Sequence, residues 1–191
     1  MSTHRPSRQH GTTLIEVLVT MVILAFGLLG LAAFQSKVQL GSLEAYQRAQ
    51  AVILLADMQA RMNGNYVNAG SYVGAVYGVD DTATSCAGTA AGAPRDICEW
   101  SMALKGNAET GADASKLGAM KDARGCVTQI QARVVNVGVS CVRGIYLVSV
   151  AWQGLHATIP PSPVCGQNQY GEETHRRVIT ARVVAGTPEC Y

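Results

Sequence analysis

An acidic residue stands at the head of an apolar run near the N-terminus. Glu16 is followed by residues 17–34, none of which carries a charge. A carboxylate inside a bilayer costs roughly 2.5–3.5 kcal/mol on insertion scales, so such a residue needs a partner or a function. Thr12 and Glu16 are at i and i+4 and would share one face of a helix, where a first-turn carboxylate also favourably opposes the helix dipole. Glu16 is therefore predicted to have a partner or a function that offsets this cost.

The chain has six cysteines. No two are spaced C-x-x-C and no His-x₃₋₅-His accompanies them, so the pattern does not predict a zinc site. An even number confined to the part beyond the apolar run indicates disulfides in an oxidising compartment. The alternative is a cytosolic protein with six reduced, buried thiols. The candidate disulfide cysteines are Cys86, Cys98, Cys126, Cys141, Cys165 and Cys190.

No pattern of catalytic residues occurs in the sequence. The motifs G-x-S-x-G, G-x₄-G-K-[ST] and H-E-x-x-H are absent from it. His4 and His10 precede the apolar run, and the isolated His156 and His175 are predicted to be surface residues. A net charge of +2 and 6% aromatic residues do not fit a nucleic-acid surface. The sequence predicts neither an enzyme nor a protein with a cofactor or metal.

The apolar run is long enough to cross a membrane. As a helix, residues 17–34 would be roughly 27 Å long, close to the thickness of the hydrocarbon core. Arg5 and Arg8 precede it, as in exported proteins. A cleavable secretory signal fits poorly, because the run is long and Leu31 stands where cleavage needs a small residue. A plain signal anchor explains the length and the basic residues but leaves Glu16 without a reason.

The stretch GTTLIEVLV, residues 11–19, resembles the class III leader junction of type IV pilins and pseudopilins, usually written G-F-T-L-I-E. The resemblance implies that the prepilin peptidase removes residues 1–11 by cutting after Gly11, and that it methylates the new N-terminus at Thr12. It also implies that Glu16 pairs with the N-terminal amine of a neighbouring subunit in a growing filament. Thr12 departs from the family, which usually has phenylalanine as the first mature residue.

The helical pattern continues beyond the apolar run. Residues 37–62 contain no proline. Glu44 with Arg48, and Asp57 with Arg61, are predicted i,i+4 ion pairs in the favourable acid-first order. Apolar residues recur at three- and four-residue steps and predict an amphipathic stripe against the rest of the protein. The members of this stripe are Leu40, Leu43, Tyr46, Ala49, Ile53, Ala56 and Ala60.

These features predict one helix from about Thr13 to Met62, roughly 75 Å long. Its first half, residues 12–36, would lie in the membrane or in the core of a filament. Its second half would pack within a globular head made of residues 37–191. An independent helix after a linker is the alternative, although no Gly/Pro/Ser-rich linker occurs. Gly64 stands where glycine commonly caps a helix.

The head is predicted to be irregular over residues 63–125 and to form a sheet over residues 126–191. A short helix is expected at Asp96–Lys105, with Asp96 as its N-cap and Trp100 as a core anchor. Residues 113–123 could form another helical turn. The segment 162–174 reads as an exposed loop, either a solvated connection or a surface for a partner.

Three segments carry strand patterns. CVTQIQARVV (126–135) alternates with Thr128, Ile130, Ala132 and Val134 on one side, and GIYLVSVAWQ (144–153) with Tyr146, Val148, Val150 and Trp152. HRRVITARVVA (175–185) alternates β-branched and charged residues. With no helix between them, these segments predict an antiparallel sheet.

The predicted fold is α+β: a long N-terminal helix, hydrophobic and then amphipathic, packed on an antiparallel sheet and stapled by disulfides. This is the pilin architecture that the resemblance implies. Six cysteines permit 15 connectivities. Pairing of neighbours along the chain would give Cys86–Cys98, Cys126–Cys141 and Cys165–Cys190.

Two further stretches resemble the V-type minor pilins, also called type IV pilus modification proteins. ILAFGLLGLAAFQ (23–35) is similar to their I-L-x-x-G-L-L-G-L-A-x-x-Q, and YLVSVAW (146–152) to their Y-x-V-x-V-x-W. Ala33 stands where major pilins commonly have proline. The resemblance implies a low-abundance subunit at the filament tip that helps to prime assembly.

The resemblance also implies partners and a location. The partners are the prepilin peptidase, other minor pilins and the major pilin, the inner-membrane assembly platform and a tip adhesin. The protein would cross the inner membrane once, with its head in the periplasm, and then enter a pilus fibre at the cell surface. A type II secretion pseudopilin is the nearest alternative. A single-pass, membrane-anchored exported binding protein or enzyme is the alternative from a different class.

Overall fold

The structure is a computed structural model that describes residues 11, 13–107, 120–136 and 140–186. Its first element is helix α1, Leu14–Gly64, which confirms the predicted long N-terminal helix. The carbonyl of Thr13 accepts hydrogen bonds from the N–H groups of Glu16 (3.0 Å) and Val17 (3.3 Å) and so begins the helix. No proline interrupts the sequence of α1, and this explains its length.

The described chain divides between Ser42 and Leu43 into two units, called here the N-terminal unit and the head. In the described part of the head, one further helix, α2, lies at Ala93–Leu104, and 3₁₀ turns lie at Tyr66–Tyr72 and Glu173–His175. Its strands are β1 (Gly74–Gly78), β2 (Arg124–Gln131), β3 (Val134–Asn136), β4 (Ser140–Val142), β5 (Gly144–Gln153) and β6 (Arg176–Ala185).

The main sheet has the order β1-β2-β5-β6, and every neighbouring pair is antiparallel. The strands β3 and β4 form a separate two-stranded ribbon. In register, Val148 on β5 lies opposite Val127 on β2 and Ala181 on β6. This arrangement confirms the predicted α+β class and the antiparallel sheet.

The head half of α1 packs on one face of this sheet, through a stripe that differs from the predicted one. The buried stripe consists of Ala51, Leu55, Met58 and Met62, which join one core with Val127, Tyr146, Val148, Val150 and Val183. The predicted stripe is wrong as a core face, because its members are exposed along the described helix. Residues 43–62 are apolar on two faces, so periodicity alone did not show which face the head covers.

The predicted core anchor, Trp100, is confirmed. Its ring is fully buried, and Nε1 donates to the carbonyl of Leu54 at 2.8 Å, which joins α2 to α1. Tyr77 meets the ring edge-on at 5.7 Å between centroids. Gly125 is required beneath it, because a Cβ there would lie 2.3 Å from the ring.

Helix α2 begins earlier than predicted, at Ala93 rather than at Asp96. Pro94 lies in its first turn, where the fixed φ of proline suits a helix and its missing N–H leaves no bond unmade. Asp96 is therefore not the N-cap. Its carboxylate accepts instead from Arg61 (3.2 Å) and from the hydroxyl of Tyr72 (2.5 Å). Most of the predicted turn at 113–123 lies outside the described residues.

The strand predictions hold best for β5, whose predicted face of Tyr146, Val148, Val150 and Trp152 is buried. The predicted strand 126–135 is broken after Gln131, and its alternation is wrong. Cys126 and Val127 are both buried, while Ile130 is 50% exposed. The first half of β2 is covered on both faces, by α1 on one and by the loop after β5 on the other. The short, glycine-flanked β1 was not predicted.

Two disulfides lie among the described cysteines. Cys86 is bonded to Cys98, as the pairing of sequence neighbours predicts. Cys126 is bonded to Cys165, so the predicted pairs Cys126–Cys141 and Cys165–Cys190 are wrong. The reason is the path of the loop after β5, which folds back over β2 and brings the Cα atoms of Cys126 and Cys165 to 5.8 Å. Cys190 and the side chain of Cys141 lie outside the described part of the structure.

Of the two predicted ion pairs on α1, one is confirmed. Arg61 Nε lies 3.0 Å from Asp57, and the same guanidinium reaches Glu99 at 2.8 Å. Glu44 does not pair with Arg48 in the described chain. Its Oε1 accepts from Arg177 at 3.2 Å and also from the N–H groups of Leu155 and His156, each at 3.2 Å.

Candidate functional site

The predicted processing junction lies just before α1. Gly11 is exposed, and among the described residues that are not its chain neighbours, no atom lies within 4 Å of the point that a Cβ would occupy there. Because α1 begins only at Leu14, Gly11 is outside the helix. Thr12, the predicted position of N-methylation, lies outside the described residues.

Glu16 occupies the first turn of α1 and is exposed. A carboxylate at this place is stabilised by the positive end of the helix dipole. None of the ion pairs between residues that the structure describes includes Glu16. Within the described chain, its carboxylate is therefore available to a cation on another molecule.

The N-terminal unit exposes an apolar surface on all sides. Every large apolar side chain from Leu14 to Phe34 is at least 43% exposed. In the described chain, α1 is the one helix long and apolar enough to cross a membrane. The hydroxyls of Thr20 and Ser36 bond carbonyls of the same helix, at 2.8 and 3.2 Å, and so do not oppose burial in lipid. This segment requires lipid or other protein around it.

A second apolar surface lies on the head half of α1. It is the stripe that periodicity identified, and we call its head residues the outer stripe: Leu43, Tyr46, Ala49, Ile53, Ala56 and Ala60. Ile53 is 59% exposed and Leu43 is 53% exposed. Because residues 43–62 are apolar on two faces, the head covers one and leaves the other uncovered in the described chain. Uncovered apolar stripes of this kind mark surfaces for association.

The exposed apolar helix and the carboxylate of Glu16 lie in a part of the chain that matches a known motif. Residues 6–32 match the prokaryotic N-terminal methylation motif. The chain thus carries a type IV pilin-like leader, and the motif includes Gly11, Thr12 and Glu16. Neither the curated proteins nor the solved structures give a significant match to the chain. The leader motif supports a pilin-like or pseudopilin-type protein that is anchored in a membrane.

The head brings together few of the predicted candidate residues. His156 is exposed and His175 is half-buried. Among the described residues, neither belongs to a cluster of three or more His, Cys, Asp or Glu side chains that could hold a metal. Cys126 and Cys165 come together, as do Cys86 and Cys98, in bonds that staple the head.

Two charged residues that are important for the structure of the head were not predicted from the sequence. Arg177 bonds Glu44, and Arg176, 2% exposed, holds the loop after β5. Their sequence signal is only a pair of arginines at the start of a strand rich in β-branched residues, which carries no information about their distant partners.

Proposed function

We propose that this protein is a minor pilin, a low-abundance subunit of a type IV pilus that is processed by the prepilin peptidase. The observation that carries the proposal is the methylation motif at residues 6–32, placed on a helix whose apolar side chains are exposed. On this proposal, residues 1–11 are the leader, residues 12–36 the membrane and filament-core segment, and residues 37–191 the head.

The chemistry of assembly follows from two charges. Cleavage after Gly11 creates an α-amino group at Thr12, at i−4 from Glu16. In the membrane Glu16 is a costly charge, and pairing with the amine of a neighbouring subunit removes much of that cost. An ion pair in a medium of low dielectric constant is much stronger than one in water. The pair therefore favours docking of subunits in one register, with Glu16 beside the N-terminus of the next chain.

The outer stripe extends this docking beyond the membrane segment. Once subunits are side by side, Leu43, Tyr46 and Ile53 can pack on neighbouring helices and leave water. Alanines at 49, 56 and 60 permit a close approach of helix backbones. The head stays folded on the opposite stripe of the same helix, so assembly does not require it to open.

The minor role rests on the resemblance to V-type minor pilins at residues 23–35 and 146–152, together with Ala33 in place of proline and a head with two disulfides. On this proposal the partners are other minor pilins, the major pilin, the inner-membrane assembly platform and a tip adhesin. The protein begins in the inner membrane with its head in the periplasm and ends in the fibre.

The first test is the N-terminal mass of the mature protein, purified from membranes of cells with and without the prepilin peptidase. We expect a chain that begins at Thr12 and is one methyl group heavier when the peptidase is present, and an intact leader when it is absent. A mature start near Phe34 would indicate an ordinary signal peptide, and an intact leader in both strains a plain anchor. Either result rejects the proposal.

The second test separates a pilus from a secretion pseudopilus. Sheared fibres should contain the wild-type protein in small amounts relative to the major subunit, whereas Glu16→Ala should remain in the membrane fraction. Glu16→Gln, which keeps the shape and removes the charge, should behave like Glu16→Ala. Normal pili in a strain that lacks the protein, combined with a loss of protein secretion, would favour the pseudopilin.

A further inference from the structure

The face of the main sheet that points away from α1 holds a cavity of about 460 Å³. Side chains alternate between the two faces of a strand, so Leu147 and Ser149 on β5 form its floor while Val148 and Val150 pack under α1. The wall is the loop after β5, with Ser162, Gln167 and Gln169. The volume lies in the range of pockets that bind small molecules.

The wall of this cavity is an irregular loop that is held at many points. Arg176 on β6 is almost fully buried, and its guanidinium donates to the carbonyls of Pro161 (2.9 Å), Pro163 and Cys165 (3.1 Å). Cys165 is also bonded to Cys126 on β2. A loop fixed by one buried guanidinium and a disulfide is ordered before any ligand arrives, which lowers the entropy cost of binding.

The far end of the wall is anchored by an aromatic ring. Tyr170 is buried and donates from its hydroxyl to the carbonyl of Asp122 at 3.1 Å. Burial raises the pKa of Tyr170 to about 12, so the hydroxyl stays neutral. Between the anchors, Gln167 and Gln169 use their backbone N–H groups in turns, at 3.0 and 3.3 Å. Their exposed side-chain amides remain available to a ligand.

The charge in the cavity lining excludes several ligand classes. Arg124 and Asp80 form a bidentate pair at 2.7 and 3.0 Å, and Arg124 also lies over the ring of Tyr170. Each charge thus neutralises the other, so neither an anion nor a cation finds an unpaired counter-charge. The remaining polar groups are hydroxyls and amides, which both donate and accept hydrogen bonds.

The floor also argues against an extended peptide. In the sheet order β1-β2-β5-β6, the strands β2 and β5 are interior, and their backbone groups are paired with neighbouring strands. In the described sheet, a peptide beside this cavity could add a strand only at the outer edge of β1, which contributes Ala75 to the rim of the cavity. Over the floor itself, recognition comes from side chains.

We propose that this cavity is a binding site for a neutral carbohydrate, with the amides of Gln167 and Gln169 and the hydroxyls of Thr128 and Ser162 as its polar contacts. Leu147 and Pro163 supply the apolar surface that meets the C–H face of a sugar ring. The site lies wholly within the head and does not depend on how the N-terminus is processed.

The test uses the full-length protein, labelled with ¹⁵N, in a zwitterionic detergent without a sugar headgroup. Methyl glycosides of glucose, galactose, mannose and N-acetylglucosamine are titrated separately to millimolar concentrations, and the amide NMR signals are followed. We expect at least one glycoside to shift the side-chain signals of Gln167 and Gln169 in a saturable manner.

The decisive variant is Gln167→Ala/Gln169→Ala, which changes only exposed side chains and should leave the fold intact. Loss of two hydrogen bonds should weaken binding about tenfold. Gln129→Ala is the matched control, an exposed glutamine on β2 that does not line the cavity, and it should bind like the wild type. Leu147→Trp should fill the cavity and abolish binding.

Three results would overturn the proposal. The first is the absence of a saturable shift with every glycoside. The second is unchanged affinity in both Gln167→Ala/Gln169→Ala and Leu147→Trp, which would place binding elsewhere. The third is a saturable response to the peptide Gly-Gln-Ser-Gly without a response to any glycoside, which would assign the cavity to peptides instead. None of these results bears on the N-terminal mass, so the proposed pilin function is tested separately.

Discussion

Two apolar stripes run along the same stretch of α1, and one is buried in the head while the other is exposed. The buried stripe of Ala51, Leu55, Met58 and Met62 is covered by the sheet and α2 of its own chain. The outer stripe carries residues of similar type, and in the described chain it remains exposed. A helix that is apolar on two faces can complete one core within its chain and keep the other face for association. The apolar surface of one subunit is therefore fully used only in the presence of other molecules.

The difference between the two stripes is tested most directly by placing the same charge on each and measuring the stability of the head. Met58→Asp buries a carboxylate without a partner and should cost about 5 kcal/mol or more, comparable to the stability of a whole domain. Ile53→Asp lies on the outer stripe and should change the free energy of unfolding by no more than about 0.5 kcal/mol. Urea denaturation, followed by near-UV circular dichroism, measures both.

A charge on the outer stripe, which should hardly affect folding, should instead prevent incorporation of the protein into fibres. Ile53→Asp should fold normally and yet be missing from sheared fibres, with Ile53→Leu as the conservative control. An Ile53→Asp variant that enters fibres at the wild-type level would show that the outer stripe is not an assembly surface.

The two disulfides between described cysteines lie in the head, so their removal should lower the stability of the head and leave the N-terminal unit unaffected. In the chain-entropy model, loss of Cys126–Cys165, with a separation of 39, costs about 4 kcal/mol, and loss of Cys86–Cys98, with a separation of 12, about 3 kcal/mol. We therefore expect Cys126→Ala/Cys165→Ala to lower Tm more than Cys86→Ala/Cys98→Ala. Equal or reversed effects would mean that strain or residual structure outweighs loop length.

Two glutamates on α1 allow the same test with single charges, because Glu44 is bonded within the head and Glu16 lies in the N-terminal unit. Glu44 accepts three hydrogen bonds within the head, so Glu44→Ala should cost about 1–2 kcal/mol, since it removes the carboxylate that pairs with Arg177 and leaves two N–H groups without this acceptor. Glu16→Ala should leave the unfolding of the head unchanged and should impair only fibre entry. A loss of head stability in Glu16→Ala would contradict this division of roles.

The smallest expected effect is the pH dependence of the head. Burial opposes ionisation of Asp81, but the Ser101 hydroxyl, the Ala83 N–H and the charge of Lys105 together hold the pKa of its carboxyl below the usual range. A carboxyl with a lowered folded-state pKa stabilises the fold above its unfolded pKa, and this contribution is lost as the pH falls below about 4. Asp81→Asn should therefore reduce the difference in Tm between neutral and acidic pH.

The parts of the fold that could be predicted are those encoded in local patterns. Helix α1 follows from a long stretch without proline, and β5 from Tyr146, Val148, Val150 and Trp152 at every second position. The methylation motif is equally local, because Gly11, Thr12 and Glu16 lie within six consecutive residues of it. A sequence pattern suffices where neighbours in the chain act together.

The parts that could not be predicted depend on residues far apart in the chain. The bond between Cys126 and Cys165 requires the loop after β5 to return across β2, and no spacing rule describes that return. Besides its ion pair with Glu173, Arg176 donates to backbone carbonyls of the loop after β5, and carbonyls have no signature in the sequence. The choice between the two stripes of α1 depended on the sheet and α2, which are distant in sequence.

The position of β6 at the outside of the main sheet has a consequence for protein solubility. An outermost strand offers unpaired backbone groups to any other strand nearby, and this is a common route to aggregation. On β6 the side chain of Gln59 donates to the carbonyl of Arg182 at 3.3 Å and so occupies one of these groups, while the exposed side chain of Arg182 places a charge on the strand. A charge on an outermost strand opposes pairing with a strand of another molecule, so β6 is protected against edge-to-edge fusion of sheets.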